Sequence, residues 1–390
     1  MLHDLQRQHP EMEIWWDSMP TSLPKWVNRA VEACSAQHEH RVRAHWEGLK
    51  KHEGLGSGLI KSATTNPRLF LENVLLDLPA AKTSIRDFLS ECPNATDDEL
   101  YWQYYKAAYA QEAALWRAEW EASAGRHGWV CAQLPPSSSF DVDRMERQGL
   151  ELARIAPNVM VKVVGSAEGY QVIERLVSQG VAINNTLSFS VPQFLCALGA
   201  LSKGHRLALE KKVDMTRWRA VITHMTGRFG GEPEFRQQAT ERDIKLTPQL
   251  MRQAEWALIE RIEPLVKSTG LPIKMLLCSL RVDIEDGVKR CFHIEQSRRS
   301  MCAYTIPPAL LMELLDPGTE WNLSDTSGQE PVPARALQLL RQIPYFLEAW
   351  DPAGMTPENF RFHPAFLTGL QDVHAAWRRG IDIVRLCRFE

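Results

Sequence analysis

The sequence predicts an α/β fold of the (β/α)8 TIM-barrel type, with a helical insertion and a C-terminal helical extension. Two observations predict it. Short apolar runs of strand character recur eight times along the 390 residues, and most of them are separated by longer segments with helical spacing. Strands that alternate with helices form βαβ units and a parallel sheet. Eight such strands in succession favour a closed barrel.

The predicted strands occupy most of the chain before its tail. In order, they are residues 13–17, 59–66, 128–134, 158–164, 181–187, 218–225, 273–279 and 302–306. Segments with helical spacing lie between them, for example 97–123 and 167–179. The first of these contains the aromatic run YWQYYKAAYAQEAALWRAEW, which we interpret as a packing surface.

Two segments are longer than this alternation requires. Residues 24–54 lie between the first two strands and are predicted to be helical, with an apolar face formed by Trp26, Val27, Ala30, Val31 and Cys34. The tail 317–390 begins with a turn-rich stretch and then returns to helical spacing. We expect both segments to elaborate one barrel over residues 1–390, because a barrel of this type tolerates large insertions.

Composition excludes several classes of protein. The chain is 44% hydrophobic with a formal net charge of -3, which is typical of a globular protein and gives no positive field for nucleic acid or anionic lipid. It contains no run of about 18 apolar residues, as a membrane span would need. The polar N-terminus lacks the apolar centre of a signal peptide. The eight cysteines are scattered without C-x-x-C spacing, which favours a reduced, cytoplasmic protein.

A metal site is not predicted. Cys34, His38 and His40 are close in sequence, but this spacing on a polar helix is more typical of a solvated face. Zinc sites need about four ligands in a compact set, and the sequence offers no such set. We therefore expect neither a metal nor another cofactor.

Lys162 is the polar residue that most needs an explanation. It lies inside the predicted fourth strand, NVMVKVV, with apolar residues on both sides. Lysines are almost never fully buried unless paired, because a buried ammonium group is costly. Two explanations fit this pattern equally well. Either the lysine is neutralised by a carboxylate or the strand has been placed wrongly, or the lysine is a desolvated amine used as a nucleophile.

Hydroxyl and amide side chains cluster at the ends of two other strands. Thr64, Thr65 and Asn66 run into a proline, and the segment 184–186 reads Asn-Asn-Thr. An Asn-Pro pair by itself only ends a strand. Two such clusters are better explained by a substrate mouth, because barrel enzymes place their sites at the C-terminal ends of the strands.

Two arginines follow the ends of late strands. Arg228 comes shortly after Thr223–Met225, and Arg281 follows Cys278 and Ser279. A single arginine on a loop is usually a solvated surface charge. Two on adjacent late loops, where barrels often bind phosphate, would form an anion clamp through charge-assisted hydrogen bonds.

These segments together resemble the transaldolase family. KSATTNPRLF is similar to the family's strand that ends in T-T-N-P, and the 37 residues from NVMVKVVGSAEGY to SVPQF resemble its Schiff-base region. ITHMTGR is similar to its phosphate-binding segment, while EIWWDSM, LLCSLR and AYTIPPALLMELL resemble its first and last two strand regions. The likeness runs, with gaps and in the right order, over most of the chain.

The resemblance implies a catalytic set and a substrate set, within carbohydrate metabolism. Lys162 would form the imine with a ketose phosphate, Asp17 would move a proton at the C4 hydroxyl, and Thr186 would position the catalytic water. Gln133 stands where the family usually has a glutamate. Substrate binding would fall to Thr64, Asn66, Asn184, Thr223, Arg228, Ser279 and Arg281.

Departures from the family pattern leave the reaction open. Gln133 cannot take a proton but can orient a water, and the related fructose-6-phosphate aldolases also have a Gln there. Met225 replaces a substrate-side aromatic residue, Thr223 replaces a serine, and a long insertion separates Asp17 from the second strand.

Three functions therefore remain in view. They are transfer of a dihydroxyacetone unit from a ketose phosphate to an aldose or aldose phosphate, an aldolase-type lyase reaction, and sugar-phosphate binding without catalysis. We expect a monomer or homodimer that acts on sugar phosphates and binds neither nucleic acid nor membranes.

Overall fold

A closed barrel of eight parallel strands forms the centre of the computed structural model, which describes residues 2–34, 36–49, 58–285, 288–316 and 330–389. Around the barrel the strand order is β1-β10-β7-β6-β5-β4-β3-β2. The barrel strands are β1 Glu13–Asp17, β2 Ile60–Thr64, β3 Val130–Gln133, β4 Val159–Val164, β5 Ile183–Ser188, β6 Ala220–His224, β7 Ile273–Leu277 and β10 Ala303–Ile306. The predicted (β/α)8 fold is confirmed, and each predicted strand overlaps an observed one.

Helices follow and surround the strands. Their bounds are α1 Leu2–Gln8, α2 Leu23–Ala33, α3 Glu39–Glu47, α4 Pro67–Leu76, α5 Leu78–Glu91, α6 Asp97–Ala122, α7 Val142–Ala153, α8 Ala167–Val177, α9 Val191–Glu210, α10 Thr226–Gly231, α11 Pro233–Thr240, α12 Pro248–Ser268, α13 Phe292–Ser297, α14 Pro308–Leu314, α15 Ala334–Leu340, α16 Pro344–Trp350 and α17 Pro364–Cys387. None of the helices in the described ranges is long and apolar enough to span a membrane.

The turns from strands to helices are encoded locally. Asn66, Ser166 and Ser190 directly precede α4, α8 and α9, and each side chain accepts a hydrogen bond from a backbone N–H of the first helical turn. Such N-caps are worth about 1 kcal/mol each, because the first N–H groups of a helix otherwise have no partner. Proline at the start of α4 and α9 adds a backbone already set for a helix.

Side chains alternate between the inside of the barrel and its helical shell. A distinct apolar cluster that includes Trp15, Cys131, Met160, Val221 and Leu276 fills the barrel interior. The next inward-facing position on each of these strands, two residues further along, carries a polar or ionisable side chain. The interior is therefore apolar in its middle layer and polar at its C-terminal end.

The aromatic helix α6 is a packing element, as predicted. Tyr101, Tyr105 and Tyr109 are buried on one face of it. The Tyr105 hydroxyl donates to the Gln133 carbonyl oxygen at 3.0 Å, so the helix supports the end of β3 from outside the barrel. A capping box formed by Thr96 and Glu99 fixes its start.

The insertion and the tail are helical where they are described. The predicted insertion 24–54 contains most of α2, a 3-10 turn at Ala36–His38, and α3, while its residues 35 and 50–54 lie outside the described residues. In the predicted tail 317–390, residues 317–329 and 390 also lie outside them, and α15, α16 and α17 follow. The assignment of residues 1–390 to one elaborated barrel stays a prediction.

One element was not predicted from the sequence. Between β7 and β10, the strands β8 Asp283–Glu285 and β9 Val288–Arg290 pair in antiparallel fashion. Each strand is only three residues long, which is too short for an alternating pattern to stand out from a loop.

Candidate active site

A cavity of about 320 Å³ opens at the C-terminal ends of the barrel strands. Every barrel strand contributes a side chain to it, from within three residues of the strand's end. These side chains are Asp17, Thr64, Gln133, Lys162, Thr186, Thr223, Cys278 and Thr305. The cavity therefore lies where (β/α)8 enzymes carry out their chemistry.

Lys162 points from β4 into this cavity and is 5% exposed. Its register partners are Gln133 on β3 and Asn184 on β5. The Nζ atom donates to the Thr65 carbonyl oxygen at 3.0 Å, and within the described part of the chain it forms no ion pair. The alternative of a lysine neutralised by a directly bound carboxylate therefore does not describe this site.

Asp17 lies at the end of β1, facing the same cavity. Burial raises the pKa of its carboxyl group, while the charge of Lys162 and a hydrogen bond from Thr305 act in the lowering direction and do not outweigh it. The Thr305 hydroxyl donates to Asp17 Oδ2 at 3.1 Å. Because the pKa is raised, this carboxyl group is suited to exchanging a proton with a bound substrate.

A hydrogen-bond network around Asn184 joins four strands, β2, β3, β5 and β6. The Thr223 hydroxyl donates to Asn184 Oδ1 at 2.6 Å, and Asn184 Nδ2 lies 3.3 Å from Cys131 Sγ and 3.5 Å from Thr64 Oγ1. All four residues are buried. The network fixes the orientation of the Asn184 amide beside Lys162, its neighbour on β4.

Asn66 serves the fold and faces the cavity at the same time. Its Oδ1 accepts from the backbone N–H groups of Arg68 and Leu69 at 2.9 and 3.0 Å, which caps α4. The amide nitrogen remains as the donor end of the side chain, and the residue lines the cavity. The two interpretations of the Asn-Pro pair, a strand end and a site residue, are therefore compatible.

The Asn-Asn-Thr cluster on β5 is divided by the alternation of the strand. Asn184 and Thr186 face the barrel interior, and Thr186 lines the cavity. Asn185 faces the helical shell, donates to the Val163 carbonyl oxygen at 3.1 Å and accepts from the Ser188 hydroxyl at 2.8 Å. Its role is structural.

The backbone near the phosphate-binding candidates is strained. Ser279 lines the cavity with a φ of 58°, in the left-handed region that costs a non-glycine residue about 1–3 kcal/mol. Its carbonyl oxygen lies against Gly227, where a Cβ atom would overlap it. Gly227 thus lets α10 approach the loop after β7, and Arg228, the next residue, lines the cavity.

The structure does not bring the second predicted arginine into the cavity lining. Arg281 donates to Glu255 Oε1 and Oε2 at 2.8 and 3.2 Å and to Asp283 at 3.3 Å. Burial raises the pKa of Glu255, but His293 and Arg281 outweigh this and hold it below its usual value. Arg281 lies 3.4 Å from the Gly227 carbonyl oxygen, so it borders the Arg228 loop while being held by carboxylates.

Several lining residues were not identified from the sequence. α17 contributes Gly369, Asp372 and Val373, and the start of α4 contributes Arg68 and Glu72. The Arg68–Glu72 pair has visible i,i+4 spacing. The contribution of α17 gave no local signal, because it depends on how a distant helix docks over the barrel.

The cavity also contains a thiol, from Cys278. Burial raises the pKa of Cys278 to about 12, with Asp17 acting in the same direction. Since the thiolate is the nucleophilic form, this cysteine is held unreactive.

Comparison with known proteins agrees with this arrangement. A sequence model of the family described as "Transaldolase/Fructose-6-phosphate aldolase" matches residues 47–338. A probable transaldolase of Dehalococcoides mccartyi is 34% identical over 159 residues, which are 41% of this chain and 54% of that protein. A transaldolase of Saccharopolyspora erythraea is 26% identical over 184 residues, covering 47% and 49% of the two chains.

A transaldolase of Mycobacterium leprae is 31% identical over 120 residues, which are 30% of this chain and 32% of that protein. The chain thus spans between about a third and a half of the length of these curated relatives. The family model covers the larger share of this chain, from residue 47 to residue 338, including β2 to β10.

Proposed function

Because the chain belongs to the transaldolase/fructose-6-phosphate aldolase family, we propose that it transfers a dihydroxyacetone unit from a ketose phosphate to an aldose or aldose phosphate. The transfer proceeds through a Schiff base on Lys162. The observation that carries the proposal is the pair formed by Lys162 and Asp17, an amine without an ion-pair partner among the described residues and a carboxyl group with a raised pKa, both in one cavity.

Lys162 is the nucleophile. Its amine attacks the C2 carbonyl of the ketose phosphate, and loss of water from the carbinolamine gives the iminium ion. Asp17 then accepts the proton of the C4 hydroxyl as the C3–C4 bond breaks. The electron pair of that bond moves into the iminium group and forms an enamine, and an aldose phosphate leaves. Covalent catalysis is suited to this step because the iminium ion accepts the electrons that would otherwise form a carbanion.

The second half reverses the first with a different aldehyde. The enamine carbon attacks the acceptor, and protonated Asp17 returns its proton to the new hydroxyl. Hydrolysis of the imine, with water positioned by Thr186 and Gln133, releases the product ketose. The buried position of Asp17 supports this double role, since burial raises the pKa of its carboxyl group and so favours uptake of the proton from the substrate hydroxyl.

Substrate binding is assigned to residues that line the cavity and to Asn184, which lies beside it on β5. Thr64, Asn66 and Asn184 would hold the hydroxyl groups of the dihydroxyacetone unit. Arg228, together with Ser279 and Thr223, would receive the phosphate. We assign Arg281 to the border of this subsite, because its guanidinium is held by Glu255 and Asp283. The expected setting remains cytoplasmic, with the protein acting as a monomer or homodimer.

One observation favours a second function, cleavage without transfer. Gln133 lines the cavity at the end of β3, beside Lys162. The fructose-6-phosphate aldolases that the sequence resembles, which cleave without transfer, also have a Gln at this position. A water bound to an amide is, on the other hand, a weaker acid–base relay than one bound to a carboxylate. If water nevertheless reaches the enamine faster than an aldehyde does, the protein is a lyase that releases dihydroxyacetone.

The two functions are separated by the fate of the three-carbon unit. The enzyme is supplied with fructose 6-phosphate, with and without erythrose 4-phosphate, and free dihydroxyacetone and transfer product are measured together. We expect rapid exchange when the acceptor is present and only slow release of dihydroxyacetone when it is absent. Multiple-turnover release as fast as exchange would instead identify a lyase. Lys162→Arg should abolish both reactions.

A further inference from the structure

We propose that Asp372 determines how strongly the site discriminates for phosphate, because its carboxylate competes with the substrate's phosphate for Arg228. The inference rests on the proposed function, since it takes Arg228 as the residue that receives the phosphate. It adds a residue outside the barrel strands, on α17, to the groups that set substrate preference.

The first step of the argument is the contact itself. Arg228 Nη2 donates to Asp372 Oδ2 at 2.7 Å, and both residues line the cavity. Arg228 Nε is buried and has no hydrogen-bond partner among the described residues. Nε and Nη2 form one edge of the planar guanidinium, and a phosphate binds such an edge with two oxygens. Asp372 therefore accepts from Nη2, one of the two donors on this edge, whereas the other donor, Nε, has no partner among the described residues.

The second step concerns what keeps Asp372 in this position. Gly369 lies one helical turn before it, and a Cβ atom at Gly369 would be 2.8 Å from Leu187 Cδ2 and 3.8 Å from Arg228 Cδ. The glycine lets α17 approach the end of β5 closely. Phe366, Leu370 and Val373 are buried on the same helix, so packing holds the Asp372 carboxylate over the guanidinium.

The third step is the charge balance around the subsite. Arg228 faces Asp372 directly. Burial raises the pKa of the nearby Glu232 carboxyl group, and the hydrogen bond from Thr368 and the charge of Arg228 act in the lowering direction without outweighing it. Arg281, on the other side of Gly227, is held by Glu255 and Asp283. A phosphate can therefore bind both Nε and Nη2 of Arg228 only after it displaces the Asp372 carboxylate.

These observations predict the direction of the effect. When phosphate binds, the Arg228–Asp372 ion pair breaks and the phosphate takes both Nε and Nη2, so the affinity observed is reduced by the strength of the lost pair. Ion pairs that are partly exposed, as this one is, are modest in strength. Removing the Asp372 charge should therefore tighten phosphate binding by about two- to fivefold. A residue that merely positioned Arg228 would have the opposite effect.

The test is calorimetric titration of the full chain with inorganic phosphate, comparing the wild type, Asp372→Asn and Asp382→Asn. Asp382 is an exposed residue of the same helix whose ion pair is with Arg385, three residues away, so it is a matched control. We expect tighter phosphate binding in Asp372→Asn, wild-type affinity in Asp382→Asn, and loss of the gain when Arg228→Gln is added to Asp372→Asn.

Weaker or unchanged phosphate binding in Asp372→Asn, or no phosphate binding by either protein, overturns the proposal. A gain that persists in the Arg228→Gln background also overturns it, because the phosphate then binds elsewhere. Thermal melting of each variant shows whether it is folded. Borohydride trapping of dihydroxyacetone on Lys162 reads the proposed function separately, because this ketone carries no phosphate.

Discussion

Strand β1 carries one carboxylate near each end of the barrel interior, and the two are held in opposite ways. At the N-terminal end, Glu13 accepts from Arg219 Nη2 at 2.7 and 2.9 Å and from Lys274 Nζ at 2.7 Å. Burial acts to raise its pKa, but these two cations outweigh burial and hold the pKa well below its usual range. Four residues later, Asp17 is bonded to a neutral hydroxyl, and its pKa is raised.

The two lysines inside the barrel show the same difference. Lys274 is ion-paired with Glu13 and also donates to the Glu11 carbonyl oxygen at 2.6 Å. Lys162 donates to a single carbonyl oxygen in the described part of the chain and is not ion-paired there. The apolar layer that contains Trp15, Met160 and Leu276 separates the two ends. The comparison suggests that buried charges with full sets of partners hold the barrel together, whereas incompletely paired ones remain available for chemistry.

The largest effect, on kcat, is expected at the C-terminal end of the barrel interior, where Asp17 lies. Asp17→Asn removes the proton acceptor for carbon–carbon cleavage, so kcat for transfer from fructose 6-phosphate should fall by about 10²- to 10⁴-fold. The free energy of unfolding at pH 7 should not fall, because the amide avoids burying a charge. Steady-state kinetics combined with urea unfolding measure both quantities. Full activity in this variant would remove Asp17 from the mechanism.

At the N-terminal end of the barrel interior, where Glu13 lies, a substitution should lower stability and leave kcat unchanged. Glu13→Gln leaves Arg219 and Lys274 without their buried carboxylate, so the free energy of unfolding at pH 7 should fall by about 3–5 kcal/mol. The kcat of the folded fraction should stay at the wild-type value. Urea unfolding and kinetics at low temperature test this. A loss of kcat with unchanged stability would reverse the assignment of the two ends.

The pH dependence of stability should also separate the ends. The pKa of Glu13 is lowered on folding, so its contribution is fully present above the unfolded value of about 4.5 and is lost as the pH falls below it. The difference in unfolding free energy between the wild type and Glu13→Gln should therefore shrink as the pH drops below 4.5.

For Asp17 the sign is reversed, because its pKa in the folded state is raised. As the pH rises above about 3.8, the carboxyl group ionises more readily in the unfolded state than in the folded state, so the wild type loses stability relative to Asp17→Asn. Urea unfolding of the wild type and both variants between pH 3 and pH 7 shows the two trends. Parallel curves for the two variants would mean that the two carboxylates are not held differently.

A smaller effect is expected beside the C-terminal end, at Arg281. Among the residues that the structure describes, Arg281→Ala leaves buried Glu255 with His293 as its remaining bonded partner. Stability should therefore fall by about 1–3 kcal/mol, a range reduced because Arg281 is partly exposed. An anion clamp that includes Arg281 predicts that KM for a phosphorylated donor changes far more than stability does. The contacts now favour comparable changes in both, which kinetics and unfolding of the same preparation would measure.

The strands and their polar ends could be predicted because those signals are local. Lys162 within an apolar strand, and Asn66 before a proline, each appear within a window of a few residues. Asp17 depended on a five-residue strand and on family resemblance, and the structure places it in the same cavity as Lys162.

What could not be predicted depends on contacts distant in sequence. Asp372 and Arg228 form an ion pair although they are 144 positions apart in the sequence, and Arg281 and Glu255 are 26 positions apart. Neither pairing leaves a periodic pattern, because both follow from how helices dock on the barrel. The same limit applies to the Glu13–Arg219–Lys274 cluster, whose members come from three strand regions.

The central claim is that Lys162, and not the other lysine inside the barrel, forms an imine with a ketose. Incubation with fructose 6-phosphate and sodium borohydride, followed by peptide mass spectrometry, tests it directly, with Lys274 as the internal control at the opposite end of the barrel. The account predicts a reduced adduct on the Lys162 peptide, none on the Lys274 peptide, and none in Lys162→Arg. An adduct on Lys274, or an unmodified Lys162 with every ketose phosphate tried, would contradict it.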